Sequence, residues 1–290
     1  MRVHLIDGTY ELYRHFYAVP PLADASGNER GAVVGVVQSL LGMLEGGSTH
    51  LGVATDHVIE SFRNKLYAGY KTGEGIDPLL WKQFEPLEAA VAALGVVVWP
   101  MVEVEADDAL AAAATAAAAD ARVEQVILCS PDKDLTQCVS GDRVVTLDRR
   151  TGKISNASGV AERFGVPPSS IADYLALVGD TADGYPGLPG WGAKSASAVL
   201  ARFGHLEGIP ASATAWGVPL RGAEKLARTL RERWNDAVLF RTLATLRTDQ
   251  PVVTVDELAY RGSTPGFEEL AASWGRVKLF ARAREVAAAR

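Results

Sequence analysis

Short apolar runs alternate along the first half of the chain with longer stretches whose apolar residues recur at helical spacing. Val3 to Asp7, Leu51 to Asp56, Val96 to Pro100 and Gln125 to Ser130 are too short and too uniformly apolar for surface helices, and read as buried strands. Between them, Gly31 to Leu44, Pro86 to Leu94 and the alanine-rich Ala109 to Ala119 read as helices. This alternation predicts an α/β fold, with a mainly parallel central sheet flanked by helices. In such sheets ligands gather beyond the carboxyl ends of the strands, where Asp7, Asp56 and Asp132 fall.

After Arg150 the texture changes to helices and glycine-rich turns. Pro167-Pro168 opens one helix, and glycines crowd from Gly179 to Gly192. The sequence therefore predicts two regions, an α/β core over 1–155 and a mainly helical region over 156–290. No fixed-period repeat and no disordered linker separates them.

Composition narrows the class. At 290 residues and 48% hydrophobic the chain can bury a large core. The N-terminus has an acid at Asp7 where a secretory signal needs apolar residues, and no run reaches the roughly 18 residues of a membrane span. A cytoplasmic protein without a membrane partner is expected, and a monomer, since no hydrophobic seam stands out. Cys129 and Cys138 make no disulfide framework and read as reduced residues; the five scattered histidines show no ligand spacing for zinc. The net charge of −6 argues against nucleic acid at first sight. Setting aside the nine acids described next leaves 26 acidic against 29 basic groups, a balance compatible with DNA.

Glu105-Ala106-Asp107-Asp108 opens the alanine-rich helix, Asp132-Lys133-Asp134 follows a strand, and Asp180 and Asp183 are spaced three apart. Each group alone has a plain explanation as helix caps or turn residues, and Asp7 and Asp56 alone as solvated loop acids. Together, five segments deliver nine carboxylates, and the three strand-end acids are expected on one edge of the sheet. So many like charges need cations to neutralise them. An all-oxygen set selects magnesium or manganese, and two such ions about 4 Å apart are the apparatus of phosphodiester hydrolysis.

These blocks resemble the bacterial 5′ nucleases, found as stand-alone flap endonucleases and as the N-terminal domain of DNA polymerase I. The resemblance is carried by Asp7-Gly8-Thr9-Tyr10-Glu11-Leu12-Tyr13-Arg14, by Asp56 followed by Phe62-Arg63 and Tyr70-Lys71, by Glu105 to Asp108, by Ser130-Pro131-Asp132-Lys133-Asp134-Leu135, by Gly179 to Lys194, and by Leu246 to Asp249. It implies a PIN-like nuclease core, a helix-three-turn-helix over about 179–204, and cleavage at 5′ flaps, 5′ ends or nicks in replication and repair. It further implies that Asp7, Asp56, Glu105 and Asp107 serve mainly one metal, and Asp108, Asp132, Asp134, Asp180 and Asp183 mainly the other. The likeness runs over nearly all of these residues, and no polymerase region is expected among them. Glu74 stands where the family has arginine, Pro131 where it has glycine, and Gly184-Tyr185 where it has Asn-Ile.

Lys71 is the expected stabiliser of charge on the scissile phosphate; unassisted by the resemblance it reads as a solvated lysine. Tyr70 is expected to stack on an unpaired base, or else to pack half-buried. Arg14 and Arg63 are candidates for phosphates or for surface ion pairs. Gly187, Gly190, Gly192 and Lys194 are expected to grip duplex phosphates through close backbone approach and a helix N-terminus, and the resemblance places a potassium ion there. Between 71 and 84 it implies a mobile arch, here poor in basic residues. The rivals are a related ribonuclease, which would not need the glycine-rich grip, and a non-catalytic branched-DNA-binding protein, which would be expected to have lost some of the nine acids.

Overall fold

The computed structural model describes residues 1–290 and divides them into two compact units. The first comprises 1–59, 73–130 and 248–290, and the second 60–72 and 131–247. The single boundary expected near 155 does not coincide with this division. The chain crosses twice near residues 60 and 72, and its last 43 residues return to the first unit.

In the first unit β1 (Arg2–Asp7), β2 (His50–Asp56), β3 (Val97–Met101) and β4 (Gln125–Cys129) form parallel pairs in the order β3-β2-β1-β4. Their apolar character follows from position: Val3, Leu5 and Ile6 of β1 and Val53 of β2 are fully buried. The helix Ala106–Ala119 begins after β3, and its alanines are buried on several faces. Small side chains let that helix lie close on the sheet. The helices Gly31–Glu45 and Phe84–Leu94 end within a residue of their expected C-termini, and the second ends on left-handed Gly95. Asp7 and Asp56 close β1 and β2, at the carboxyl end where a parallel sheet binds ligands.

The second unit is built on a core of Leu175, Leu177, Leu188, Trp191, Leu200, Trp216 and Phe240, contributed by helices Ile171–Val178, Ala193–Phe203 and Trp234–Ala244 and the loops between them. It also holds an antiparallel pair absent from the sequence reading, β5 (Val144–Asp148) with β6 (Lys153–Ser155), joined by the turn containing Gly152. After Asp132 the chain forms a tight 3-10 segment, Asp134–Cys138. Cys129 and Cys138 are free thiols, and no helix is long and apolar enough to cross a membrane.

Candidate metal centre

In the second unit the chain brings Asp134, Asp180 and Asp183 together, with one carboxylate oxygen of each lying within 4.8 Å of the others. Local structure fixes two of them. Asp134 starts the 3-10 segment and its N–H donates to Asp132 Oδ1 at 2.8 Å. Asp180 follows the helix Ile171–Val178; its backbone pairs with Tyr185 in an isolated antiparallel bridge, and its Oδ1 accepts from the Ala182 N–H at 3.0 Å. Asp132 is exposed, whereas Asp134 and Asp180 are buried.

Two lysines offset part of this charge. Lys133 Nζ pairs with Asp180, and Lys71 Nζ lies 3.0 Å from Asp183 Oδ1. Lys71 is held in place as well by its own backbone, whose N–H donates to the Asp183 carbonyl at 2.9 Å, while Asn64 Nδ2 donates to the Lys71 carbonyl at 2.8 Å. Burial works against the charge on Lys133, but Asp180, Asp134 and Asp132 outweigh it and raise its pKa.

Compensation remains incomplete at Asp134. Burial, then repulsion from Asp132 and Asp183, push its pKa well above the carboxylate range, and its buried Oδ1 has no hydrogen-bond partner. A buried carboxylate oxygen without a donor, among oxygen ligands only, suits a hard divalent cation.

The remaining candidates lie in the first unit. Asp7 Oδ1 accepts from the Tyr10 N–H at 2.8 Å and its Oδ2 from Ser130 Oγ at 2.9 Å. Asp56 Oδ1 accepts from the Ala106 N–H at 2.8 Å, which ties the end of β2 to the start of the acidic helix. Asp108 is fully buried and accepts from the Glu105 N–H at 3.0 Å; Glu105 is buried and Asp107 partly exposed. Several of these acids are therefore helix caps, as their local sequence allows. Capping does not compete with a metal, because an ionised carboxyl has about four lone-pair sites and a cap bond uses one while fixing the rotamer.

Two expected DNA contacts are corrected. Arg63 is 1% exposed; its Nε donates to the Leu243 carbonyl at 2.7 Å and an Nη to the Thr245 carbonyl at 3.1 Å, and its guanidinium lies 4.7 Å from the Phe62 ring centroid. It ties the 60–72 segment to the end of the helix Trp234–Ala244 and offers no donor to phosphate. Tyr70, at 3% exposed, packs into the core of the second unit and presents no face for a base. Arg14 is partly exposed and paired at 2.5 Å with Glu11, which is fully buried, so the pair is not the surface ion pair expected as its alternative.

Replacing Arg63 by leucine should strand the Leu243 and Thr245 carbonyls, at about 1–3 kcal/mol each. Urea unfolding is expected to show a loss of about 3 kcal/mol, with the DNA affinity of the folded protein unchanged; lost affinity at unchanged stability would restore the phosphate role.

The glycines of the predicted grip divide into two kinds. Gly187 has φ +67° and a Cβ there would stand 2.3 Å from the Gly179 nitrogen. Gly190 has φ +85° with its nearest neighbour at 3.7 Å, and Gly192 has open space and caps the helix Ala193–Phe203. Lys194 is exposed in that helix's first turn. Residues 71–77 have no helix or strand and are followed by the short helix Pro78–Trp81, with Glu74 exposed.

Residues 2–165 match the family model described as 5′-3′ exonuclease, N-terminal resolvase-like domain, and residues 166–265 match 5′-3′ exonuclease, C-terminal SAM fold. Among relatives, DNA polymerase I of Pseudomonas aeruginosa is 39% identical over 88% of this chain and 28% of its own. The 5′-3′ exonuclease of Aquifex aeolicus is 31% identical over 88% of this chain and 85% of its own. The chain spans less than a third of the length of the DNA polymerase I relatives it matches. A structure of T5 5′-exonuclease with bound zinc aligns with TM-score 0.64 at 19% identity, over 99% of this chain and 98% of that one. The catalytic core of Rad2 with DNA substrate aligns with TM-score 0.59 at 14% identity, over 98% and 92%. At such identities these two likenesses establish the fold. With both family models matched end to end across residues 2–265, the chain belongs to the 5′-3′ exonuclease family.

Proposed function

We propose that this protein is a structure-specific 5′ nuclease that hydrolyses DNA phosphodiesters at 5′ ends, nicks and flaps with divalent cations, in DNA replication and repair. The observation that carries the reading is the buried cluster of Asp134, Asp180 and Asp183, with an Asp134 oxygen that accepts no hydrogen bond and has only Lys133 Nζ at 4.0 Å, in a chain of this family. Asp132, Asp134, Asp180 and Asp183 within the second unit, and Asp7, Asp56, Glu105, Asp107 and Asp108 within the first, would supply the oxygen ligands. The all-oxygen set favours magnesium or manganese over softer metals. Bound there, such ions lower the pKa of a coordinated water and neutralise charge on the phosphate.

The protein's own groups do the positioning. Lys71, fixed at both its backbone and its Nζ, supplies a preorganised positive charge. Gly190, Gly192 and Lys194 provide amides and a cation for duplex phosphates without reading sequence, and the family's potassium ion belongs to this same element. DNA complexes of Rad2 and divalent metal in T5 5′-exonuclease support the substrate class and the cofactor class. The proposed working form is a cytoplasmic monomer.

The test is cleavage of a 5′-labelled flap duplex in magnesium, manganese or EDTA. Cutting near the junction in either metal and none in EDTA is expected, and Lys71→Ala should slow single-turnover cleavage about 100-fold while flap binding persists. Tight flap binding with no cutting in either metal would replace this reading with a non-catalytic branched-DNA-binding protein. Preferential cutting of RNA would replace it with a ribonuclease.

A further inference from the structure

The helix Ala223–Glu232 carries a cationic face that the metal cluster does not use. Its inner side, Leu226, Ala227 and Leu230, is set in the same core as Leu188, Trp191 and Leu200. On its outer side Lys225 and Arg228 stand one turn apart, with Arg221 just ahead of the helix, four residues before Lys225. All three are exposed and none has an ion pair or a side-chain hydrogen bond, although Glu224 and Glu232 stand on the same helix. Arg231 and Arg233 differ, being committed to the Ala211 carbonyl and to Asp236. Exposed arginines and lysines left unpaired beside available acids are poised for an anion from outside.

Position identifies that anion. Trp191 Nε1 donates to the Leu226 carbonyl at 3.3 Å, and a Cβ on Gly190 would stand 3.7 Å from Leu226 Cδ2. The start of this helix therefore abuts the glycine-rich turn, and Lys194, also exposed and unpaired, follows Trp191 by three residues.

We propose that Arg221, Lys225 and Arg228 form a second phosphate-binding face, continuous with the glycine-rich turn, that holds duplex DNA beyond the stretch the turn itself grips. This rests on the proposed nuclease function, and it extends that function's substrate requirement from a junction to a junction with a duplex arm of sufficient length.

The experiment measures flap affinity in EDTA at several salt concentrations, on substrates whose duplex arm is about half a turn or about two turns long. For the long arm, Lys225→Ala/Arg228→Ala is expected to lose about tenfold in affinity near 0.1 M salt, and to lower the slope of log K against log salt by about two. The short arm should be unaffected, and Lys225→Arg/Arg228→Lys should keep the original slope. An unchanged slope on the long arm would overturn the proposal. So would an equal loss on single-stranded oligonucleotide, which would assign the face to the flap strand, or a loss only toward an acidic protein surface. Metal-dependent cleavage by the unaltered protein is scored on the same substrates: absent cutting would overturn the nuclease reading, while a changed slope would still support this face.

Discussion

Asp134→Asn is expected to cut the rate of metal-dependent phosphodiester cleavage by on the order of 10³ and, in the same protein, to raise its thermal stability in EDTA. The first effect follows from the chemistry proposed for the cluster. Charge stabilisation by a bound cation is worth several kcal/mol, about 4 of which correspond to a thousandfold in rate. The second follows from the direction of the Asp134 pKa. Burial, Asp132 and Asp183 raise it in the folded state, so over the interval between its ordinary value and the raised one the folded protein holds a proton that the unfolded chain has released. Stability of the metal-free protein must then fall as pH rises through that interval. Asparagine removes the titration, so the variant's melting temperature should be flatter with pH and higher at neutrality. Divalent metal should raise the melting temperature of the original protein strongly and that of the variant little, because the cation stabilises the ionised cluster only in the fold. Melting curves in EDTA and in manganese at pH 5 and pH 8 decide the matter. A variant that melts lower in EDTA at pH 8 would show that Asp134 is structural, and retained cleavage would remove it from the metal ligands.

The acids were legible in the sequence because each occupies a position that local structure dictates. Asp7 and Asp56 end parallel strands, Glu105 and Asp108 begin a helix, and Asp180 closes a turn with Tyr185. Short-range rules place such residues, and a concentration of carboxylates demands a cation wherever they meet. Arg63 and Tyr70 were not legible for the opposite reason. The carbonyls that claim Arg63 belong to Leu243 and Thr245, some 180 residues away in sequence, and Tyr70 enters a core whose other members lie between residues 139 and 244. Nothing near either residue distinguishes a phosphate ligand from a buried tether. The pair β5 and β6 escaped notice because β6 is three residues long and Lys153 and Ile154 are exposed, leaving too little alternation to mark a strand.

The glycine-rich segment shows the same limit, and yields the second large effect. Its glycines look interchangeable in sequence, but their surroundings assign them different work. Gly187→Ala should destabilise the fold by about 3 kcal/mol or more: a left-handed backbone costs a Cβ-bearing residue about 1–2 kcal/mol, and the added carbon would stand 2.3 Å from the Gly179 nitrogen and 2.5 Å from the Val178 carbonyl carbon. None of those neighbours is a side chain that can swing away. Because Gly179 is joined to Asp180, the displacement should reach the metal cluster, so manganese affinity and thermal stability are expected to fall together. Gly192→Ala meets the opposite situation. Its φ of −154° suits any residue and no atom lies within 4 Å of the new carbon, so stability should stay within about 0.5 kcal/mol. A phosphate approaching the amides at the start of the helix Ala193–Phe203 would nonetheless meet the methyl group, and duplex affinity should drop several-fold. Urea unfolding, manganese titration and flap binding on both variants separate the two roles. Equal losses of stability would mean that the open space at Gly192 is not open to DNA, and the grip would have to be assigned to Gly190 and Lys194 alone.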